Sequence, residues 1–508
     1  MNSVQSFFEK PFKENISDWE STLLKELKTT DLGNKTKKEM FNGELWPTLS
    51  TNRLPHIHVT PELNWKKAST TYIKIFDDIE FHLNEDLSAG VKNFFFSGQE
   101  LDDKKWHKIE SILSNYHTPS EIEVFILGEH SFSGQSIKVI SSLITGIEFH
   151  SAGGDSIHEL GLIAKKVIES KENELFVGVY LGSAFFQNIA KIRAIRLIVS
   201  KIFEHLGREV SVKVVALTSF EGWTLFERYS NMLRNETSVA SAYIAGADHI
   251  QSTGYNAVFE LEAQVELRDE HFLRSRRMAR NTSHILALES MLGIVQDAAF
   301  GSYHLENLTQ YLCEESWKVM QSLLTGNDVS SEINKTKEKK LEMIKVRKKI
   351  LSGINDYPDA KEVLGIELKS STFFRPSRVF EELRLDMEKI KKPKVFIALF
   401  GDYAGLNARL NFVKNYFELL GLEVIDRGIS EFDVEKFKKG LTLRHEEIIV
   451  LCASDEHYPM LKEAVSLIKT NHRFLAGKYE MDSCRNLFVG QNIFENLQEI
   501  VKAFGGMK

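Results

Sequence analysis

Cysteine is scarce in this sequence of 508 residues, which contains three. Cys313, Cys452 and Cys484 lack the paired spacing of a zinc site or a disulfide framework, so they indicate a reducing compartment. Long apolar runs are missing too, since no stretch approaches the roughly 20 residues that span a bilayer. The N-terminal segment mixes charges with apolar side chains, unlike a signal peptide. We therefore expect a cytoplasmic protein with no membrane partner.

The sequence also has no excess of positive charge. Its 64 lysines and arginines face 71 aspartates and glutamates, which gives a net charge of -7 and a pI of about 6.2. This balance argues against a nucleic-acid partner, because binding phosphates requires a basic surface. The lysine-rich run "KTKEKKLEMIKVRKK" at 335–349 contains interleaved glutamates and favours a solvated helix face. Neither a P-loop nor a GxGxxG motif occurs.

What is present is typical of a multidomain globular protein, with 43% apolar and 27% charged residues. Residues 1–60 predict an N-terminal helix, begun by a capping box at Ser17 and Glu20, and then an extended arm. Residues 61–326 alternate short apolar runs with amphipathic stretches, a pattern that predicts parallel strands joined by helices. Seven or eight such units favour a (β/α)8 TIM barrel. The candidate strands are "TTYIKIF", "KNFFFSG", "EIEVFILG", "GIEFHSAG", "LFVGVYLG", "VKVVALTS" and "ADHIQST".

The remainder of the chain predicts a linker and a second α/β domain. Residues 327–392 contain two charged helical connectors. Residues 393–508 alternate again, and five strands with short crossovers predict a doubly wound, flavodoxin-like sheet. Its ligand crevice is expected outside the carboxyl ends of the first and third strands, at Gly401–Gly405 and Ala453–His457. The five strands are Val395–Phe400, Leu422–Ile425, Glu447–Ala453, Arg473–Ala476 and Asn486–Val489.

Three stretches of the predicted barrel resemble the cobalamin-dependent acyl-CoA mutases. They are "FFQNIAKIRAIRLIVSKI" at 185–202, "YSNMLRNETSVASAYIAGADHI" at 229–250 and "ARNTSHILALESMLGIVQDAAFGSYHLENLT" at 279–309. The sequence is most similar to one branch, the small (β) subunit of heterodimeric methylmalonyl-CoA mutase. That likeness rests on "FHSAGGDSIHELG", the linker "FFRPSRVFEELR", the pair Ala408-Arg409 and "LCASDEHYP". The resemblance implies a barrel followed by a flavodoxin-like domain of the cobalamin-binding type.

Comparison with the catalytic members also shows what this sequence lacks. Their first small-domain loop reads Asp-x-His-x-x-Gly, and the histidine is the lower ligand of cobalt. No histidine occurs here between His304 and His445, so the loop Gly401–Gly405 has no imidazole. Asp455 stands where catalytic members carry small hydroxyl residues, and Gly477 is single where they carry a pair. We therefore expect no catalytic, cofactor-binding or metal-binding residue on this chain.

The resemblance then implies a noncatalytic subunit. It would support the interconversion of (R)-methylmalonyl-CoA and succinyl-CoA by a large (α) subunit, with which it forms a heterodimer. Adenosylcobalamin is expected in the complex, on the large subunit. Two alternatives stay open: a catalytically active cobalamin-dependent mutase or isomerase with unusual cobalt ligation, and an accessory acyl-CoA-binding chaperone of a mutase.

A few polar side chains carry two interpretations each. His150 is either a proton donor over a carbonyl or a polar residue at the top of a barrel strand. The helix residues Lys191, Arg193 and Arg196 either bind an acyl-CoA or form salt bridges across a domain or subunit boundary. The run Asp455-Glu456-His457 is either a metal cluster or, as we favour, an acidic helix cap.

Overall fold

The computed structural model describes residues 79–97, 101–127, 136–263, 270–295, 297–371, 373–425 and 433–506, together with 21, 24–26, 38–41 and 44–47. The predicted strand "TTYIKIF" and the capping box at Ser17 and Glu20 lie outside the described residues. Within the predicted N-terminal arm, strands β1 (Lys38–Phe41) and β2 (Glu44–Pro47) form an antiparallel pair.

A first parallel sheet has the strand order β3-β4-β5 and is flanked by two helices. Alternate residues of its strands face opposite sides, as a strand period of two requires. Phe94 and Phe96 pack in a core with the helices, whereas Phe95 and Phe125 lie in a separate apolar cluster. The elements are α1 (Ile79–Ser88), β3 (Asn93–Ser97), α2 (Asp103–Ser114), β4 (Glu123–Leu127) and β5 (Lys138–Ile140).

A second parallel sheet has the order β6-β7-β8-β9, and helices connect its strands. The apolar faces of these helices bury one side of the sheet in a large core. The predicted alternation of strands and connecting helices is confirmed here. The elements are β6 (Leu143–Thr145), α3 (Ile147–Ser151), α4 (Ser156–Glu169), β7 (Glu174–Leu181), α5 (Phe185–Leu206), β8 (Ser211–Thr218), α6 (Ser230–Ile244) and β9 (His249–Ile250).

The prediction that "GIEFHSAG" forms a strand is wrong. The strand at this place is the preceding β6, and the chain then turns into the short helix α3. The strand gives way to α3 at Gly146. Helix α4 packs so closely there that a Cβ on Gly146 would lie 2.6 Å from the carbonyl oxygen of Glu159. The alternation of apolar and polar residues in Ile147–His150 resembles a strand, but close packing of α4 ends the strand first.

One apolar cluster joins the inner sides of the two sheets. It contains Phe95 and Phe125 of the first sheet and Phe176, Val215 and Leu217 of the second. Phe125 and Phe176 meet edge to face at 5.7 Å between ring centroids. The region is therefore a mixed α/β structure with parallel sheets, as predicted. In the described part of the chain, strand pairing does not connect these two sheets.

Six helical elements follow the second sheet and lead to the C-terminal domain. The predicted connector helices at 327–392 are present as α10 and α11. The elements are α7 (Ala257–Glu262), α8 (Glu270–His284), a π-helical turn (Ile285–Glu289), α9 (Tyr303–Leu324), α10 (Ser330–Lys345) and α11 (Arg378–Glu388).

The C-terminal sheet is parallel throughout and has the order β11-β10-β12-β13-β14. Its two central strands, β10 and β12, are completely buried, since apolar clusters cover both faces. All five predicted strands are confirmed with small shifts at their ends. The elements are β10 (Val395–Phe400), α12 (Tyr403–Glu418), β11 (Val424–Ile425), α13 (Val434–Thr442), β12 (Ile448–Ala453), α14 (Lys462–Val465), β13 (His472–Ala476), β14 (Arg485–Leu487) and α15 (Ile493–Ala503).

Candidate functional site

A polar pocket lies beyond the carboxyl ends of β7 and β8, the edge at which parallel α/β structures usually bind ligands. Its cavity volume is about 130 Å³. Residues from α3, α4 and α5 form its walls, and residues of α10 and the chain just after it complete the lining. The ionisable lining residues are His150, Asp155, Glu159, Lys191, Glu221, Lys340 and Lys349.

A buried ion pair forms the floor of this polar pocket. The ammonium group of Lys191 lies 2.6 Å from Glu159 Oε2 and donates to the carbonyl of Tyr180 at 2.7 Å. The amide of Tyr180 donates to the other carboxylate oxygen of Glu159 at 2.8 Å. Burial acts to raise the pKa of Glu159, but Lys191 and His150 outweigh it and hold the pKa below its usual value. Glu159 is therefore a fixed anion that joins α4, α5 and β7.

His150 lies in α3 and not at the top of a strand, which corrects the predicted position. Its Nε2 is 3.0 Å from Ser219 Oγ, and its Nδ1 is 3.4 Å from Glu159 Oε2. The imidazole stacks on the ring of Tyr180 at 4.7 Å, with 8° between the ring planes. Both ring nitrogens thus face groups of the same chain, and the stacking fixes the plane of the ring.

The predicted solvated face of the lysine-rich run is wrong for two of its residues. Lys340 donates to Glu221 at 2.8 Å and to the carbonyl of Gly154 at 2.9 Å. The pKa of Glu221 is lowered to about 2, because Lys340 and Lys349 outweigh the effect of burial. Burial lowers the pKa of Lys349, against the opposing effect of Glu221. No local signal marks these two lysines, since their partners lie far away in the sequence.

The two arginines of α5 form ion pairs inside the chain. Arg193 is buried and contacts Asp297 and Glu306, the latter at 2.8 Å. Arg196 lies 2.8 Å from Asp248 and donates to a backbone carbonyl at 2.6 Å. Both arginines form salt bridges, but the expectation that these cross a domain or subunit boundary is wrong, because their partners lie within the same predicted domain. The two guanidinium groups reach different partners.

The second candidate site is the crevice at the carboxyl ends of β10 and β12. Arg409 of α12 reaches across this edge and donates to the carbonyls of Ala453 at 2.7 Å and Ala476 at 3.2 Å. The same Nη1 atom lies 2.8 Å from Asp455 Oδ1. A cation and a carboxylate of the chain therefore occupy the position at which a doubly wound sheet binds its ligand.

Gly477, which follows β13, and Tyr458, whose hydroxyl bonds to the last residue of β13, also border this crevice. Gly477 has a φ of 136°, and a Cβ there would lie 3.1 Å from Arg409 Nη1 and 3.3 Å from Asp455 Oδ1. The hydroxyl of Tyr458 accepts from the amide of Ala453 at 3.1 Å and donates to the carbonyl of Ala476 at 2.5 Å. The glycine is therefore needed for the approach of the Arg409–Asp455 pair.

The run Asp455-Glu456-His457 does not form the predicted acidic helix cap. The element that follows is a 3-10 helix (Tyr458–Leu461), and no side chain caps it. Asp455 instead pairs with Arg409. His457 Nδ1 lies 2.5 Å from Ser454 Oγ, and its ring contacts Phe400 edge to face at 5.8 Å.

Comparison with known proteins finds a likeness to one family. A family model described as methylmalonyl-CoA mutase matches residues 168–375. The chain is 29% identical over 308 residues to the methylmalonyl-CoA mutase small subunit of Porphyromonas gingivalis, covering 55% of this chain and 48% of that protein. Over residues 168–375 the chain is therefore similar to the methylmalonyl-CoA mutase family. It is also 28% identical to the small subunit of Streptomyces virginiae, covering 67% of this chain and 57% of that protein. It is 24% identical to the small subunit of Propionibacterium freudenreichii, an alignment that covers 64% of this chain and 54% of that protein. The chain thus aligns with about half the length of these relatives.

Methylmalonyl-CoA mutases generally depend on cobalamin, but the residues at the crevice of this chain do not fit that cofactor. The loop after β10 offers no imidazole, and Asp402 caps α12 by accepting from the amide of Gly405 at 3.2 Å. The Arg409–Asp455 pair occupies the adjoining space. In this family cobalt needs a nitrogen ligand that a carboxylate orients. The loop has no imidazole, and its carboxylate, Asp402, is used to cap α12.

Metal and membrane sites were also predicted to be absent. Within the described ranges, no group of three or more histidine, cysteine, aspartate and glutamate side chains is arranged to hold a metal ion. In the same part of the chain, none of the helices combines the length and apolar character needed to cross a membrane.

Proposed function

We propose that this chain is a noncatalytic small subunit of a heterodimeric, adenosylcobalamin-dependent methylmalonyl-CoA mutase. A large subunit would bind the cofactor and interconvert (R)-methylmalonyl-CoA and succinyl-CoA. A radical reaction requires a site that excludes water, and this chain would help to hold the domains of its partner closed around that site. The observation that carries the proposal is the crevice occupied by Arg409 and Asp455.

The proposed architecture is a (β/α)8 barrel followed by a degenerate flavodoxin-like domain. The two parallel sheets share one inner apolar cluster, which supports their being parts of one barrel. The order β11-β10-β12-β13-β14 corresponds to 2-1-3-4-5 along the chain, the order of flavodoxin-like sheets. The domain boundaries of the proposal are 1–60, 61–326, 327–392 and 393–508.

The noncatalytic role is supported by the chemistry of both candidate sites. At the crevice, the groups that would hold cobalamin are replaced by an ion pair and a tyrosine hydroxyl. In the polar pocket, Glu159 and Lys191 neutralise each other, and His150 is held by Ser219 and Tyr180. A proton donor for catalysis needs to reach a substrate, whereas these groups already have partners within the chain.

Two other functions would use the same fold. An active mutase would need another imidazole for cobalt, and His457 is the histidine that the structure places beside the crevice. Its Nδ1 is already bonded to Ser454, which favours the noncatalytic role. An accessory chaperone of a mutase would bind acyl-CoA and associate only transiently with its client.

Co-expression with the large subunit of a methylmalonyl-CoA mutase from the same organism tests the proposal. We expect a 1:1 complex that survives gel filtration, because a permanent subunit buries a large interface. A chaperone would separate from its client during the run. Elution of the two chains apart, with mutase activity in the large-subunit fractions alone, would contradict the subunit role.

A further inference from the structure

We propose that the polar pocket beyond β7 and β8 binds a small oxyanion, a carboxylate or a phosphate, beside Lys340 and Lys349. This site is separate from the crevice of the C-terminal domain. It lies between α5 and the segment that follows α10. The proposal goes beyond the subunit role and does not depend on it.

The charges at this end of the pocket are not balanced. Lys340 and Lys349 face one carboxylate, that of Glu221, and Lys340 lies 2.8 Å from it. The ammonium group of Lys349 makes no hydrogen bond or ion pair with any residue that the structure describes, although it interacts electrostatically with Glu221 and Lys340. Two partly buried ammonium groups that share one carboxylate are incompletely compensated, and an anion in the pocket would compensate them.

The other ionisable groups of the pocket do not supply that anion. Glu159 is paired with Lys191. Asp155 caps α4, where its Oδ1 accepts from the amides of Ile157 and His158. That carboxylate also lies 2.8 Å from the imidazole of His158. Glu159 is therefore committed to Lys191, and Asp155 is held at the start of α4 through its Oδ1, while its Oδ2 makes no hydrogen bond with the described residues.

The amino end of α5 adds a second source of positive potential. This helix is 22 residues long, and its first turn lacks a side-chain cap. The residues that lead into it, Gly182, Ser183 and Ala184, line the pocket. Free amide groups at the start of a long helix attract anions, because the helix dipole is positive there.

The recessed part of the pocket has room for a group of a few atoms. An apolar protein cavity of about 150 Å³ holds benzene, which has six heavy atoms. The volume here is about 130 Å³. Acetate or inorganic phosphate fits this space.

Two glycines keep this space open without any need for a special backbone conformation. A Cβ on Gly182 would lie 4.0 Å from the nearest heavy atom, and a Cβ on Gly222 would lie 3.7 Å from Ser183 Oγ. Alanine is therefore tolerated by the fold at both positions. A methyl group at either position reduces the volume of the pocket.

Isothermal titration calorimetry of the purified full chain with sodium acetate, and separately with sodium phosphate, tests this site. We expect saturable 1:1 binding of at least one of the two, and the anion that binds identifies the carboxylate or the phosphate as the natural group. Lys349→Met and Gly222→Ala should each weaken that binding about tenfold or more. The neighbouring exposed lysine provides the matched control, since Lys348→Met removes the same charge outside the pocket.

Two results would overturn the site. One is the absence of saturable binding for both anions. The other is unchanged affinity in both Lys349→Met and Gly222→Ala. Because Gly222→Ala leaves every charge in place, its effect separates binding in the pocket from general attraction to a basic surface. Either failure leaves the gel-filtration test of the subunit role unaffected.

Discussion

Replacing Arg375 by methionine is expected to lower the melting temperature of this protein by on the order of 10 °C. Arg375 is buried at the junction between the second sheet region and the helical connector that ends in α11. Its guanidinium donates to Glu262 Oε1 at 2.8 Å and to Glu381 Oε2 at 2.8 Å. Removing the cation leaves the buried Glu381 without its cationic partner and Glu262 with Arg378 alone, which costs about 3–5 kcal/mol.

The surrounding hydrogen bonds explain why no other group can replace this arginine. Its Nη1 also donates to the carbonyl of Trp223 at 3.0 Å, while Glu381 accepts from the amide of Leu225 at 2.9 Å. Burial acts to lower the pKa of Arg375, but the carboxylates of Glu381 and Glu262 raise it above its usual value. The guanidinium thus stays charged and connects three segments of the chain.

Differential scanning calorimetry measures the effect, with Arg378→Met as the matched control. Arg378 also pairs with Glu262 but is partly exposed, so its loss should shift the melting temperature much less. A triple variant, Arg375→Met with Glu262→Gln and Glu381→Gln, should recover part of the loss, because it removes the unpaired charges. Equal shifts for Arg375→Met and Arg378→Met would show that the junction does not depend on this network.

Charging the apolar surface segment Ile285–Tyr303 is expected to weaken the complex with the large subunit about 100-fold. Within this segment seven apolar side chains are exposed, and among its described residues Glu289 is the one exposed charge. Depletion of charge with large apolar side chains is typical of the centre of an interface. The exposed residues are Ile285, Leu288, Met291, Ile294, Val295, Phe300 and Tyr303.

The occupant that we propose for this surface is the large mutase subunit, since the relatives of this chain are named small subunits. The double variant Leu288→Glu, Met291→Glu changes side chains that are 54% and 63% exposed, so it should not unfold the chain. Surface plasmon resonance against the immobilised large subunit measures the affinity. The control is Leu443→Glu, at a residue of the C-terminal domain that is 70% exposed. Equal affinity of the double variant and the control would place the interface elsewhere.

The C-terminal sheet could be predicted from the sequence because its strands are marked locally. Val395–Phe400 and Ile448–Ala453 are short apolar runs that end in turn-forming residues, and both are buried central strands. The strand missed at Leu143–Thr145 has three residues, which is too few for a periodic pattern. Its end is set by Gly146 and the close approach of Glu159, a contact that only the folded chain contains.

The pocket residues could be predicted only in part, for a similar reason. Lys191 stands in a stretch that resembles the mutase barrel, so the sequence singled it out. Lys340 and Lys349 lie in a mixed run of lysines and glutamates that has the composition of a solvated helix. Their placement depends on Glu221, which is more than a hundred residues away. The Arg409–Asp455 pair likewise joins helix α12 to the loop after β12 through the strand order of the sheet.

Equilibrium dialysis with adenosylcobalamin, measured on the isolated chain and on its complex with the large subunit, tests the noncatalytic role most directly. We expect about one cobalamin for each heterodimer and no stoichiometric binding by the isolated chain, because its crevice is occupied by Arg409 and Asp455. Two cofactors for each heterodimer, or a stoichiometric cobalamin spectrum from the isolated chain, would contradict it.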